Sequence, residues 1–138
     1  MNLVAAMLLW LSMLALILAN NALGDVQIAM ASGVEMAELY KAVVPIPYIA
    51  LCAWVAARRR PAGAGAVDAL AIGAMWAAST IIAESLIARY LQGLSWRAAF
   101  LHYRFWDGYL FAVLPLAQGL LPALFYRLIK PLPASAGD

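Results

Sequence analysis

Four runs without a charged side chain, residues 1–23, 42–57, 69–83 and 109–126, dominate this chain and restrict what it can fold into. The hydrocarbon core of a bilayer is about 30 Å thick, and a helix needs roughly 20 mainly apolar residues to cross it. The first run has that length alone, and flanking turns bring the other three to it. The sequence therefore predicts an all-α polytopic membrane protein, an antiparallel four-transmembrane-helix bundle with an interfacial segment before the last helix. The expected spans are 3–22, 36–57, 67–91 and 107–129, in a single integral membrane domain over 1–138. Hydrophobic residues make up 67% of the chain and charged ones 12%, well to the apolar side of soluble domains. The polar connections are too short for a soluble catalytic domain. Nine Lys+Arg against seven Asp+Glu is too even a balance to suggest nucleic acid as a partner.

Ala22-Leu23-Gly24 places the small side chains of Ala22 and Gly24 where a signal peptidase would want them. The preceding segment, however, lacks a basic n-region, and its apolar run exceeds a usual h-region, so a retained first span is expected. With both termini cytoplasmic, Arg58, Arg59, Arg60, Arg127 and Lys130 face inward, against Lys41, Arg89, Arg97 and Arg104 outside. The Arg triplet in the shorter loop favours this orientation.

Local signals set the expected boundaries. Asn20 and Asn21 end span one, and Asp25 falls in the loop after it. Ser32 and Glu35 have capping-box spacing and should open the second helix. Pro45 and Pro47 remove two backbone donors and should bend it, a break membranes tolerate only where the freed carbonyls find partners. Gln92-Gly93 closes the third helix. Trp96, Phe100, Tyr103, Phe105 and Trp106 then read as an aromatic belt. Asp107 fits the N-cap of the fourth helix, which contains Pro115 and Pro122 and stops at Lys130-Pro131.

The third helix carries the clearest pattern. At 100° per residue, Ala69, Gly73, Ala77, Thr80, Glu84 and Ala88 fall within an arc of about 100°. Small residues four apart let membrane helices approach closely, so Ala69, Gly73 and Ala77 are the expected packing face. Glu84 continues that face into the bundle, where a carboxylate is costly and a functional hypothesis by default. It could be a proton relay, a cation ligand, or half of a pair with Arg104, Lys41 or Tyr103 that fixes helix register. Arg89 lies on another side and is a poor partner for it. Thr80 shares the stripe, and Gln118, on one face with Asp107, Phe111 and Leu114, is an expected interhelical hydrogen-bonding group.

A second set of polar residues falls at one membrane side: Asn20, Asn21, Glu35, Glu38, Lys41, His102, Tyr103, Arg104 and Asp107. These form either a small pocket or the polar layer that headgroups impose on any such protein. Glu38 and Lys41 have the i,i+3 spacing of a helical ion pair. Cys52 reads as a small core hydrophobe. One Cys and one His do not make a zinc site, so no metal and no cofactor are expected.

Asn21-Ala22-Leu23, Gly73-x-x-Trp76 with Thr80 and Glu84, and Gly93-Leu94-Ser95-Trp96 together resemble uncharacterised small bacterial four-helix inner-membrane proteins. Pro45 and Pro47 depart from that pattern. The resemblance implies a multi-pass protein of a bacterial inner membrane and no particular activity. The expected function is non-catalytic: a small subunit or accessory protein packing beside a larger membrane complex or another copy of itself. The alternatives are a small transporter or channel protomer using Glu84 for a proton, cation or amine, and a lipid-binding protein or enzyme using the outer polar cluster.

Overall fold

The computed structural model describes residues 3–129, and within them the side chains of His102 and Phe105 lie outside the described set. The described residues form helices joined by short connections, with four helices long and apolar enough to cross a membrane: Leu3–Ser32, Val34–Arg58, Ala66–Tyr90 and Leu110–Leu128. Successive helices run in opposite directions. In chain order the α-helical pieces are α1 (Leu3–Leu23), α2 (Ala29–Ser32), α3 (Val34–Val43), α4 (Ile46–Arg58), α5 (Ala66–Tyr90), α6 (Trp96–Ala99) and α7 (Val113–Leu128).

The first helix does not stop at Asn20–Asn21. It continues through a wider π-helical turn, Gly24–Ile28, into α2, so Asp25 is helical and not in a loop. The expected capping box is absent as well. Gly33, at φ 88°, is the N-cap of α3 with no side-chain cap bond, and Ser32 belongs to the preceding helix. A left-handed glycine ends one helix and starts the next in a single residue.

Pro45 breaks the second span between α3 and α4 as expected. Because it has no N–H, the carbonyl of Lys41, four residues back, loses its helical donor. Asn20 Nδ2 donates to that carbonyl at 3.3 Å. Asn20→Leu should leave the carbonyl unmet and lower the unfolding free energy by about 1–3 kcal/mol. Thermal unfolding in detergent would read this, and an unchanged melting temperature would refute it.

The third span matches its expected limits to within a residue. Asp68 accepts from the Gly65 N–H at 2.6 Å at its start. Ser95 caps α6, accepting from Ala98 N at 3.2 Å. The fourth helix starts later than expected. Gly108 sits at φ 88° and Tyr109 is extended, so a helix cannot run through from Asp107. Asp107 pairs instead with Arg104 at 2.7 Å, and regular helix begins at Val113. Pro115 then lies in the first turn, where no N–H is needed. The expected stop at Lys130 falls outside the described residues.

α7 packs chiefly on α5 and next on α4. Met13, Ile17, Ile49, Cys52, Ala53, Ala56, Trp76, Phe111 and Leu114 form the buried core. Two tryptophans are structural and not interfacial. Trp76 is 0% exposed and donates to the Ala6 carbonyl at 2.9 Å, and Trp10 donates to Thr80 Oγ1 at 3.1 Å. Both bonds tie α1 to α5. Trp96 and Phe100 are exposed and stacked at 6.3 Å, with Tyr90 edge-on to Trp96, in keeping with a belt.

Candidate functional site: a polar vestibule at one end of the bundle

The helical hairpin centred on Gly33 determines which residues meet. Asp25 and Lys41 each lie eight positions from that glycine, one on either arm, and eight helical residues span about 12 Å. The arms therefore bring the two side chains to one level, and Lys41 Nζ lies 2.8 Å from Asp25 Oδ1. It also lies 2.6 Å from Glu38 Oε1. Gly24 makes room for the lysine: a Cβ there would fall 2.6 Å from Lys41 Cγ. The Lys41 side chain is 10% exposed and that of Asp25 63%, so the two carboxylates offset the cost of burying the ammonium.

On the facing wall, Glu84 reaches inward from α5, about 9 Å along the axis from Tyr90. The Tyr103 hydroxyl donates to Glu84 Oε2 at 2.5 Å. The connection before α7 is folded to deliver that phenol, since Tyr103 rests edge-on against Phe111 at 5.8 Å. Burial, and after it the Glu84 charge and hydrogen bond, hold the Tyr103 phenol well above its usual pKa. It therefore remains a donor. The second oxygen, Glu84 Oε1, is buried with no partner.

A cavity of about 350 Å³ lies between these walls, lined by Asn21, Asp25, Glu38, Lys41, Glu84 and Tyr103, with Leu18, Ile87, Ala88, Gln92, Ala99 and Phe111. Asn21 Oδ1 is likewise buried and unpartnered. Three carboxyl groups face one ammonium. Among the described residues no three His, Cys, Asp or Glu side chains converge as a metal would need. Two of the three, Asp25 and Glu38, are taken up by Lys41, and Glu84 has no salt-bridge partner among the described residues.

Several expected members stand elsewhere. Glu35 is exposed and does not line the cavity. Arg104 and Asp107 pair with each other, Asn20 serves the Lys41 carbonyl, and the His102 side chain is outside the described residues. Arg89 donates to the Leu94 carbonyl at 3.3 Å and leaves Glu84 alone. Asp25 and Gln92 join the site without having been expected there; the equal spacing of Asp25 and Lys41 about Gly33 is the available signal for the first.

Thr80 and Gln118 are both 0% exposed in the bundle interior. Gln118 Oε1 and Nε2 have no partner, and a buried polar group left unmet costs about 1–3 kcal/mol. The small-residue face is turned inward too. A Cβ on Gly73 would lie 2.9 Å from the Gly119 carbonyl carbon and 3.0 Å from the Gln118 carbonyl oxygen. Ala77 faces Gly119, and Ala69 is buried.

Comparison with known proteins gives no match to a family model, a curated protein or a solved structure.

Proposed function

We propose that the chain is a small multi-pass membrane transport protomer that binds a compact organic cation, an ammonium or primary amine, in the polar vestibule. The observation that carries this reading is Glu84. One of its oxygens is fixed by Tyr103, while the other is buried and unpartnered in a wall of the cavity. An ammonium N–H would meet that oxygen with a charge-assisted bond, stronger than its neutral counterpart. Asn21 Oδ1 would supply a second acceptor, and Lys41, already shared by Asp25 and Glu38, would repel a doubly charged solute.

The subunit reading draws less support. It relies on Ala69, Gly73 and Ala77 to grip a partner, yet Gly73 and Ala77 face α7 of the same chain and Ala69 is buried.

The test is uptake into proteoliposomes, with radiolabelled methylammonium as solute and an interior-negative potential as driving force. Saturable uptake that ethylammonium inhibits and formate does not is the expected result. Uptake no faster than in protein-free vesicles would overturn the proposal. So would purification from a native membrane only as a stoichiometric part of a larger complex, which would favour the subunit reading.

A further inference from the structure

A second cavity, of about 420 Å³, occupies the opposite end of the bundle, where Ala57, Arg60, Asp68, Ile72, Pro122 and Tyr126 are among its lining residues. All four spans contribute residues to both cavities. On α5, Glu84 lines the one and Ile72 the other; on the α7 side, Phe111 lines the one and Pro122 the other. Between them lie fully buried core residues, Trp76 and Leu114 among them, both 0% exposed.

Gln118 sits within this closed section. It lies about 10 Å along the fourth span from Phe111 and about 6 Å from Pro122, at 1.5 Å per residue. Its side chain is fully buried, and both amide atoms lack partners. Pro122 has no N–H to offer the Gln118 carbonyl, so the backbone group loses its helical donor at the same level. The contrast with the other proline break is informative. There, Asn20 answers the Lys41 carbonyl freed by Pro45; here, the Gln118 side-chain amide is unused. An apolar residue would fill this position at lower cost, since replacing unmet polar groups by apolar ones of similar shape is neutral or stabilising.

We propose that Gln118 is the mid-bundle station on the path between the two cavities, its Oε1 accepting an N–H of the ammonium solute as it crosses. This rests on the transport reading of the vestibule. Glu84 draws the cation into the bundle, and Gln118 receives it once the packed section between the cavities has opened. The amide suits this step because it solvates a cation without holding it by a full opposite charge.

Gln118→Leu and Gln118→Met separate passage from binding. Both should melt at or above the wild-type temperature and bind methylammonium at the vestibule as tightly as wild type, read by scintillation proximity in detergent. Uptake into proteoliposomes should fall about tenfold or more, the loss expected when one hydrogen bond to a charged group goes unmade. Wild-type uptake in either variant would overturn the assignment and leave Gln118 as the holder of a structural water. Failure of both variants to fold would overturn it too, since the amide would then be a structural necessity. If the wild-type protein binds methylammonium but does not move it, transport and the path are both refuted and the vestibule stands only as a binding site. If it neither binds nor moves it, the vestibule reading fails and takes the path with it.

Discussion

Glu84→Gln should reduce methylammonium uptake by about tenfold to a hundredfold, because a hydrogen bond to a charged group contributes about 1.5–3 kcal/mol and tenfold is 1.4 kcal/mol. The substitution is nearly isosteric, and the amide oxygen can still accept from the Tyr103 hydroxyl, so the α5-to-connector contact survives. Melting temperature and detergent elution should therefore match wild type. That combination separates a binding carboxylate from one that only fixes helix register, because a register residue that keeps this bond would lose neither stability nor flux. Tyr103→Phe supplies the comparison. It keeps the charge, removes the group that orients it, and should weaken uptake less than Glu84→Gln does. Unimpaired uptake by Glu84→Gln would refute the vestibule as the binding site.

The parts of this fold that are legible in the sequence are those that lipid dictates. A helix in hydrocarbon must be long, apolar and internally hydrogen-bonded, and those demands are visible within each segment. Hence the limits of α5 and the break at Pro45 can be read directly, as can the inward direction of Glu84. What escapes depends on partners distant in the chain. Asp25 resembles a loop residue because a charge ends an apolar run, yet it stays helical because Lys41, sixteen positions away, meets it. The start of α7 is easily misplaced because Asp107 resembles an N-cap, while Gly108 in the left-handed region prevents helix from beginning there. Trp10 and Trp76 resemble anchors because tryptophan favours interfaces; their partners, Thr80 and the Ala6 carbonyl, lie seventy residues off. At the site, the pair of Glu84 with Tyr103 is one of three that the sequence allows. Its selection over Lys41 and Arg104 comes from where those two cations find their own carboxylates.

Gly73→Val should destabilise the bundle more than either Asn20→Leu or Glu84→Gln. The α5–α7 contact is the most extensive in the chain, and at Gly73 the neighbour is the main chain of Gln118 and Gly119, not the movable end of a side chain. A Cβ under 3.0 Å from a backbone carbonyl carbon cannot be accommodated by a rotamer change, so the two helices must part. Overpacking a core costs typically about 1–3 kcal/mol and occasionally more, and a backbone clash at the principal interface belongs at the upper end. The control is the next residue: Ala74 is exposed on α5, so Ala74→Val places the same β-branched side chain on the same helix without a clash. Thermal unfolding in detergent should show a large loss for Gly73→Val and almost none for Ala74→Val. Valine is a better helix former than glycine and a poorer one than alanine, so propensity alone would rank the two variants the other way. Equal effects would refute the close approach as the reason for the glycine. A large loss at Gly73 alone, with Glu84→Gln still folded, would establish that the small-residue face serves the bundle itself. It would also leave the vestibule carboxylate free of a structural duty.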